Sequence, residues 1–309
     1  MLADILHSGV AIEERCSKNG DDLAVTLAEG SSYGGFQNTS SQSAFSCLDD
    51  NRAMRWFRLR VLLFLSVSLA AAEQKPAAAE HKRVAVIVSA NAEWREVKKF
   101  YPRVAVPGVQ YQTSPYGEYF LLDRDTVVFH GGWGKISAAA SAQYVIDRWN
   151  PAAIVNLGTC GGIAGRIDRF TTVLVTKTVV YDIVEQMGDA SAAIQFYSTD
   201  IDLRWLPGRL PMQIVRAPLY SGDRDLVAQE LPTLIRKYGA VAADWESGAI
   251  AWVARRNGKR VLILRGVSDL VTPSGGEAYG KTEVFEQGTA RVMQTLLDSL
   301  PQWLALLPR

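Results

Sequence analysis

From Arg83 to the end of the chain, apolar runs and mixed stretches alternate regularly. RVAVIVSA (83–90) is apolar without a polar face, the mark of a strand covered on both sides. EWREVKKFYP (93–102) has helical spacing and stops at Pro102. Strands are predicted at Tyr119 to Leu122 and at TVVFH (126–130). A small-residue helix follows over GKISAAASAQYVIDRWN (134–150), ended by Pro151. AAIVNLG (152–158) and TTVLVTKTVV (171–180) read as strands, and the stretch from there to Pro211 is less regular. QIVRAPLYS (213–221) predicts a strand, Asp225 to Tyr238 a helix, and AVAAD (240–244) a strand. ESGAIAWVARRNG (246–258) predicts a helix ended by Gly258. RVLILRGVS (260–268) is another buried strand, interrupted only by Arg265, and Thr282 to Leu300 closes as a long helix. Alternation of this kind, without an internal repeat, predicts a single three-layer α/β/α domain around a central sheet over 83–309.

The first eighty residues read differently. Residues 1–53 carry Ser, Gly, Asn and Gln clusters such as GSSYGGFQNTSSQS and little periodicity, which predicts disorder or an over-extended reading frame. Residues 54–72 then show three parts: Arg55, Arg58 and Arg60, an apolar core from Val61 to Leu69, and a small Ala70-Ala71-Ala72 end. That is the pattern of a secretory signal peptide. The apolar core is about half the roughly 20 residues that span a bilayer. A leader belongs at the start of a protein, so translation is expected to begin at Met54. Export, to a periplasm-like compartment, is expected, with cleavage near Ala72 and a linker over 73–82. A buried amphipathic helix is the alternative for this segment, with a cytoplasmic protein.

Composition narrows the rest. Of 309 residues, 48% are hydrophobic and 21% charged, with a net charge of +1, which gives no reason to expect nucleic acid or an acidic membrane as partner. Cys16, Cys47 and Cys160 form no CxxC pair, and His7, His81 and His130 are scattered. Neither a metal site nor a disulfide framework is expected.

In sheets of this class, ligands bind past the carboxyl ends of the strands. Polar residues follow four predicted strand ends: Asn91 and Glu93, the TCGG of Thr159 to Gly162, Asp244-Trp245-Glu246, and Ser268-Asp269. Each also has a plain reading. Glu93 and Glu246 suit the first turn of a helix, Gly158, Gly161 and Gly162 suit a tight turn with positive φ, and Asp269 suits a cap. Convergence of three carboxylate positions on one cleft is the more informative possibility. Rival motifs lack their context. GTCGGIAG precedes a β-rich segment rather than a helix, GVSDL lacks the second glycine of a nucleophile elbow, and no Walker lysine is present.

VAVIVSANAEW, NLGTCGG, YSGD, ADWESGAIAWVA and RGVSD, in this order, resemble the nucleoside phosphorylase/nucleosidase superfamily, nearest to its methylthioadenosine/S-adenosylhomocysteine nucleosidases. The resemblance implies a mixed central sheet and hydrolysis of a purine nucleoside's N-glycosidic bond. Water would be the acceptor, no cofactor would be needed, and the protein would be a homodimer. It gives Asp269 the role of protonating the purine, Glu246 that of holding the ribose hydroxyls, and Glu93 that of activating water. Trp245 stands at a methionine position under the sugar, with Asp244 before it. Ser221, Gly222 and Asp223 would shape the purine pocket, Thr159, Gly161 and Ser268 would line the site, and Phe285 would cover the ligand. The chain departs from the pattern in SANAEW, Trp245, Thr159, Cys160 and LVTPSGGEAYG, which bears on the 5′ substituent. The Gly-Asp-Pro-x-Arg type phosphate loop of the phosphorylases is absent. A phosphorylase, or a nucleoside-binding protein without activity, remains the alternative.

Overall fold

Val84–Val88 (β1) is buried along its whole length, as a strand between two helical layers must be. It appears in the computed structural model of the chain, which describes residues 81–102 and 109–307. The expected appendage (1–53), the leader (54–72) and all but the last residues of the linker (73–82) lie outside these residues. Helix α1 (Asn91–Phe100) follows β1, then a hairpin of β2 (Gln112–Ser114) and β3 (Gly117–Leu121), β4 (Thr126–His130) and α2 (Gly134–Trp149). The middle of the chain supplies β5 (Ala153–Ile163), β6 (Thr172–Val180), α3 (Ala190–Tyr197), β7 (Thr199–Asp200) and β8 (Val215–Ser221). After α4 (Leu231–Tyr238) come β9 (Ala242–Asp244), α5 (Ser247–Arg256), β10 (Arg260–Thr272), β11 (Gly275–Gly276) and α6 (Thr282–Leu306).

All these strands belong to one mixed sheet. Its centre closes on itself: β5 pairs with β10, β10 with β6, β6 with β8, β8 with β9, and β9 with β5. From this five-stranded ring the sheet runs out through β1, β4, β3 and β2. Helix α1 packs on α6 and α2 on α5, and α5 and α6 both rest on β10. The expected three-layer α/β architecture with a mixed central sheet is the one observed.

Four expectations are corrected. The residues 159–162 do not follow a strand; they are inside β5, in register with β10 as far as Val271 opposite Ile163. Gly158, Gly161 and Gly162 are therefore extended, not a positive-φ turn. They are glycines because neighbours lie over them: a Cβ on Gly162 would come within 2.7 Å of Val267 Cγ1. Ser268 and Asp269 are likewise inside β10, so Asp269 caps nothing. The helix expected from Asp225 starts only at Leu231. Tyr181 and Tyr279 donate their hydroxyls to the carbonyls of Arg224 and Leu226, taking acceptors that an earlier helix would need. Finally, α6 continues through Pro301 to Leu306. Trp303 and Leu304 are buried against the core, and that packing outweighs the hydrogen bond that proline removes. Helix α3, in the less regular stretch, was not expected.

Candidate active site

Arg265, the polar interruption in β10, is fully buried. A buried guanidinium must be paired, and here it faces three carboxylates. Its Nε lies 2.8 Å from Asp244 Oδ2, as an ion pair and not an aligned hydrogen bond. Nη1 is 3.7 Å from Glu93 Oε1, and Nη2 is 3.9 Å from Glu246 Oε2. Nη2 also donates to Asn156 Oδ1 at 2.7 Å, and Asn156 Nδ2 in turn donates to the Ile87 carbonyl. Gly158 leaves the room for this: a Cβ there would stand 2.1 Å from Arg265 Nη1 and 2.6 Å from Glu93 Oε1. The arginine holds the ends of β9, α1 and α5 around one point.

Each carboxylate has further fixed partners. Glu93, in the first turn of α1, accepts from the Ala90 N–H through Oε2 and from the Thr159 N–H and hydroxyl through Oε1, at 3.1, 2.6 and 2.8 Å. Asp244 accepts from the Ser247 hydroxyl at 2.8 Å. Glu246, at the N-cap of α5, accepts from the Gly134 N–H at 3.1 Å. Glu93 is thus a first-turn acid and a site residue at once, whereas Glu246, expected in a first turn, is the N-cap of α5 as well as a site residue. Burial raises the pKa of Glu246, and the charges of Asp244 and Glu93 add to that against the pull of Arg265. Three acids around one arginine leave an excess of negative charge, which suits a site where positive charge must develop.

Asp269 is outside this cluster, four residues beyond Arg265 on β10. The ladder runs from Val267 opposite Cys160 to Asp269 opposite Gly161, so Ser268 is the extra residue of a β-bulge. Bulges re-aim side chains beside functional sites. Here the two consecutive residues Ser268 and Asp269 both face the cleft, which regular alternation forbids. The Ser268 hydroxyl donates to Asp269 Oδ1 at 2.6 Å. Burial raises the Asp269 pKa, and the serine hydrogen bond opposes the rise without cancelling it.

The cleft between these groups is about 700 Å³. Glu93, Thr159, Gly161, Asp244, Trp245, Glu246, Ser268, Asp269 and Phe285, all singled out from the sequence, line it. Ser221, Gly222 and Asp223 do not, which corrects the expectation for that segment. The Ser221 hydroxyl is buried and accepts from the Gly248 N–H. Gly222 lies against Asp182 and Tyr181, and Asp223 accepts from the Lys135 N–H. Ser221 and Asp223 support the starts of α5 and α2, while the next residues, Arg224, Asp225 and Leu226, line the cleft. Trp133 was also missed. It stacks on Trp245 with ring centroids 5.0 Å apart and lines the cleft although 63% exposed. An aromatic between two glycines at the start of a helix was the available signal.

A carboxyl group whose burial favours its protonated form can donate to a leaving base. The carboxylate cluster around Arg265, in the same cleft, can hold sugar hydroxyls, steady a cationic sugar and take a proton from water.

The phosphorylase superfamily model matches residues 83–300. The 5′-methylthioadenosine/S-adenosylhomocysteine nucleosidase of Thermotoga maritima is 28% identical over 158 residues, covering 51% of this chain and 71% of that protein. The corresponding protein of Buchnera aphidicola is 22% identical over 203 residues, covering 60% and 84%. Among solved structures, the Helicobacter pylori nucleosidase with butyl-thio-DADMe-Immucillin-A has a TM-score of 0.59 at 14% identity, covering 72% of this chain and 98% of that one. Helicobacter pylori futalosine hydrolase has a TM-score of 0.58 at 14% identity, covering 71% and 97%. The match from β1 into α6, together with the shared fold, means that this chain belongs to the phosphorylase superfamily.

Proposed function

We propose that the protein hydrolyses the N-glycosidic bond of a purine nucleoside of the methylthioadenosine/S-adenosylhomocysteine type, releasing free base and a ribose derivative. The carrying observation is one cleft lined both by Asp269 and by the Arg265-paired Glu93 and Glu246. Asp269 gives its proton to the purine, and the glycosidic electron pair leaves with the base. Positive charge then builds on the sugar, where Glu246 holds the hydroxyls and the anionic cluster stabilises the cation. Glu93, fixed at Oε1 by Thr159 and at Oε2 by the Ala90 N–H, takes the proton of the attacking water. The test is the purified full-length chain with a panel of purine nucleosides, with and without phosphate, following free base. Release that needs no phosphate supports hydrolysis. Phosphate-dependent release with a sugar phosphate as product would make the protein a phosphorylase, and no release from any nucleoside would leave a binding protein.

The stacked Trp133 and Trp245 supply the flat apolar surface of the cleft and are the features to vary when the 5′ substituent is sought. A homodimer is supported by Ile136, Val184 and Met187, which are 85%, 74% and 97% exposed. They lie on segments brought together by the Lys135–Asp182 ion pair, and exposed apolar side chains of this size favour a partner surface. Export, with a mature chain starting near Glu73, is supported by the arginine-led apolar stretch and its alanine end.

A further inference from the structure

A second recess, of about 520 Å³, shares Ser268 with the cleft and is lined besides by Arg169, Phe170, Glu277, Lys281 and Arg291 among others. Three of these are cations and one is an anion, a formal balance of +2. Arg169 is paired with Glu277. Among the described residues, neither Lys281 nor Arg291 has a carboxylate within ion-pair distance. The guanidinium of Arg291 lies 3.9 Å from the Phe170 ring centroid, which fixes its plane. Phe170 is itself held in an uncommon left-handed conformation, φ 67°, by its N–H bond to the Val267 carbonyl at 2.8 Å.

We propose that this recess binds a compact dianionic oxyanion, of the phosphate or sulfate kind. Two guanidinium forks and an ammonium supply donors of the geometry that such an ion accepts, and a dianion matches the +2 balance. The ion competes with Glu277 for Arg169. Glu277 also accepts from the Leu270 N–H at 2.8 Å, one residue past Asp269, and Ser268 both lines the recess and donates to Asp269. An occupant therefore acts on the strand that positions Asp269. Binding itself does not depend on the reaction proposed above.

The test is calorimetric titration of the full-length chain with sodium sulfate at constant ionic strength, since free salt screens exposed charges. Inorganic phosphate is titrated in a second arm. Saturable binding at one site is expected. Arg291→Met and Lys281→Met should each weaken it at least about tenfold, the loss of one charged contact. Glu277→Gln should tighten it by freeing Arg169. Thermal unfolding of each variant identifies any that fails to fold, and the remaining variants then decide. Absence of saturable sulfate binding, or equal affinity in wild type and the folded variants, overturns the proposal. Binding of phosphate alone, unchanged by these substitutions, places the ion in the main cleft and also overturns it.

Discussion

Asp269 is asked to hold a proton at a pH where a free carboxyl has lost it. Burial favours its neutral form, and the Ser268 hydroxyl favours the charged one. A general acid works while protonated, so the rate falls as pH rises through the folded-state pKa, which burial raises from its ordinary value. Ser268→Ala removes the opposing bond, and the basic limb of the kcat/KM profile is expected to move to higher pH. A limb that stays or moves down would detach it from Asp269. Asp269→Asn keeps the shape without the proton, and turnover should fall about 10²- to 10⁴-fold while substrate analogues still bind. The same substitution has a stability signature. A carboxyl whose pKa is raised on folding loses stability as pH rises from its unfolded to its folded value. Asp269→Asn should therefore melt higher than wild type at pH 8, with the gap closing in acid. Glu93→Gln should lower kcat mainly, and Glu246→Gln should raise KM and lower kcat together. Equal effects of the Glu246 change on ribo and 2′-deoxy substrates would remove the ribose contact.

At the scale of elements, the β5–β10 pair decides the site, and two of its glycines make opposite predictions. Gly158→Ala drives a methyl group into Arg265 and Glu93. Overpacking costs about 1–3 kcal/mol, and opening a buried ion cluster about 3–5 kcal/mol. Gly161→Ala places its methyl 3.9 Å from Asp269 Oδ2, an ordinary contact, so it should fold like wild type and alter KM through the cleft wall. Urea unfolding and steady-state kinetics of both variants check this, and a Gly158→Ala protein as stable as wild type would show that the clamp can yield. The same pair shows what the sequence could tell. The strands were legible because their first halves, AIVNL and VLIL, are buried and almost wholly apolar. Their far halves were not, because glycine and Ser-Asp carry turn signals in isolation. They become strand only through what packs on the glycines and through the bulge at Ser268. The acids Glu93, Glu246 and Asp269 were legible as strand-end carboxylates and by family resemblance. Arg265 stood in plain view as a charge inside an apolar run, and a buried charge needs partners. Those partners, however, lie up to 172 positions away in the sequence, between Glu93 and Arg265.

For the whole molecule, one prediction concerns its first residues. N-terminal sequencing of fractionated cells should find a start near Glu73 outside the cytoplasm, and an intact Met1 in the cytoplasm would sink export. The closed ring has a consequence of its own, in the order of synthesis. β10 sits between β5 and β6 but is almost the last strand to leave the ribosome. Until it emerges, β5 and β6 have each lost a neighbour and expose pairing edges. Non-local closure of this kind is slow, so the nascent chain stays open until nearly complete. A chain ending at residue 259 should therefore be made but remain insoluble, whereas one ending at residue 307 keeps the ring and the packing of Trp303 and Leu304 and should stay soluble. Expression of the two lengths side by side, read as the soluble fraction, checks this. A translating chain that cannot close its sheet early also remains threadable, the physical state that passage through a narrow pore requires.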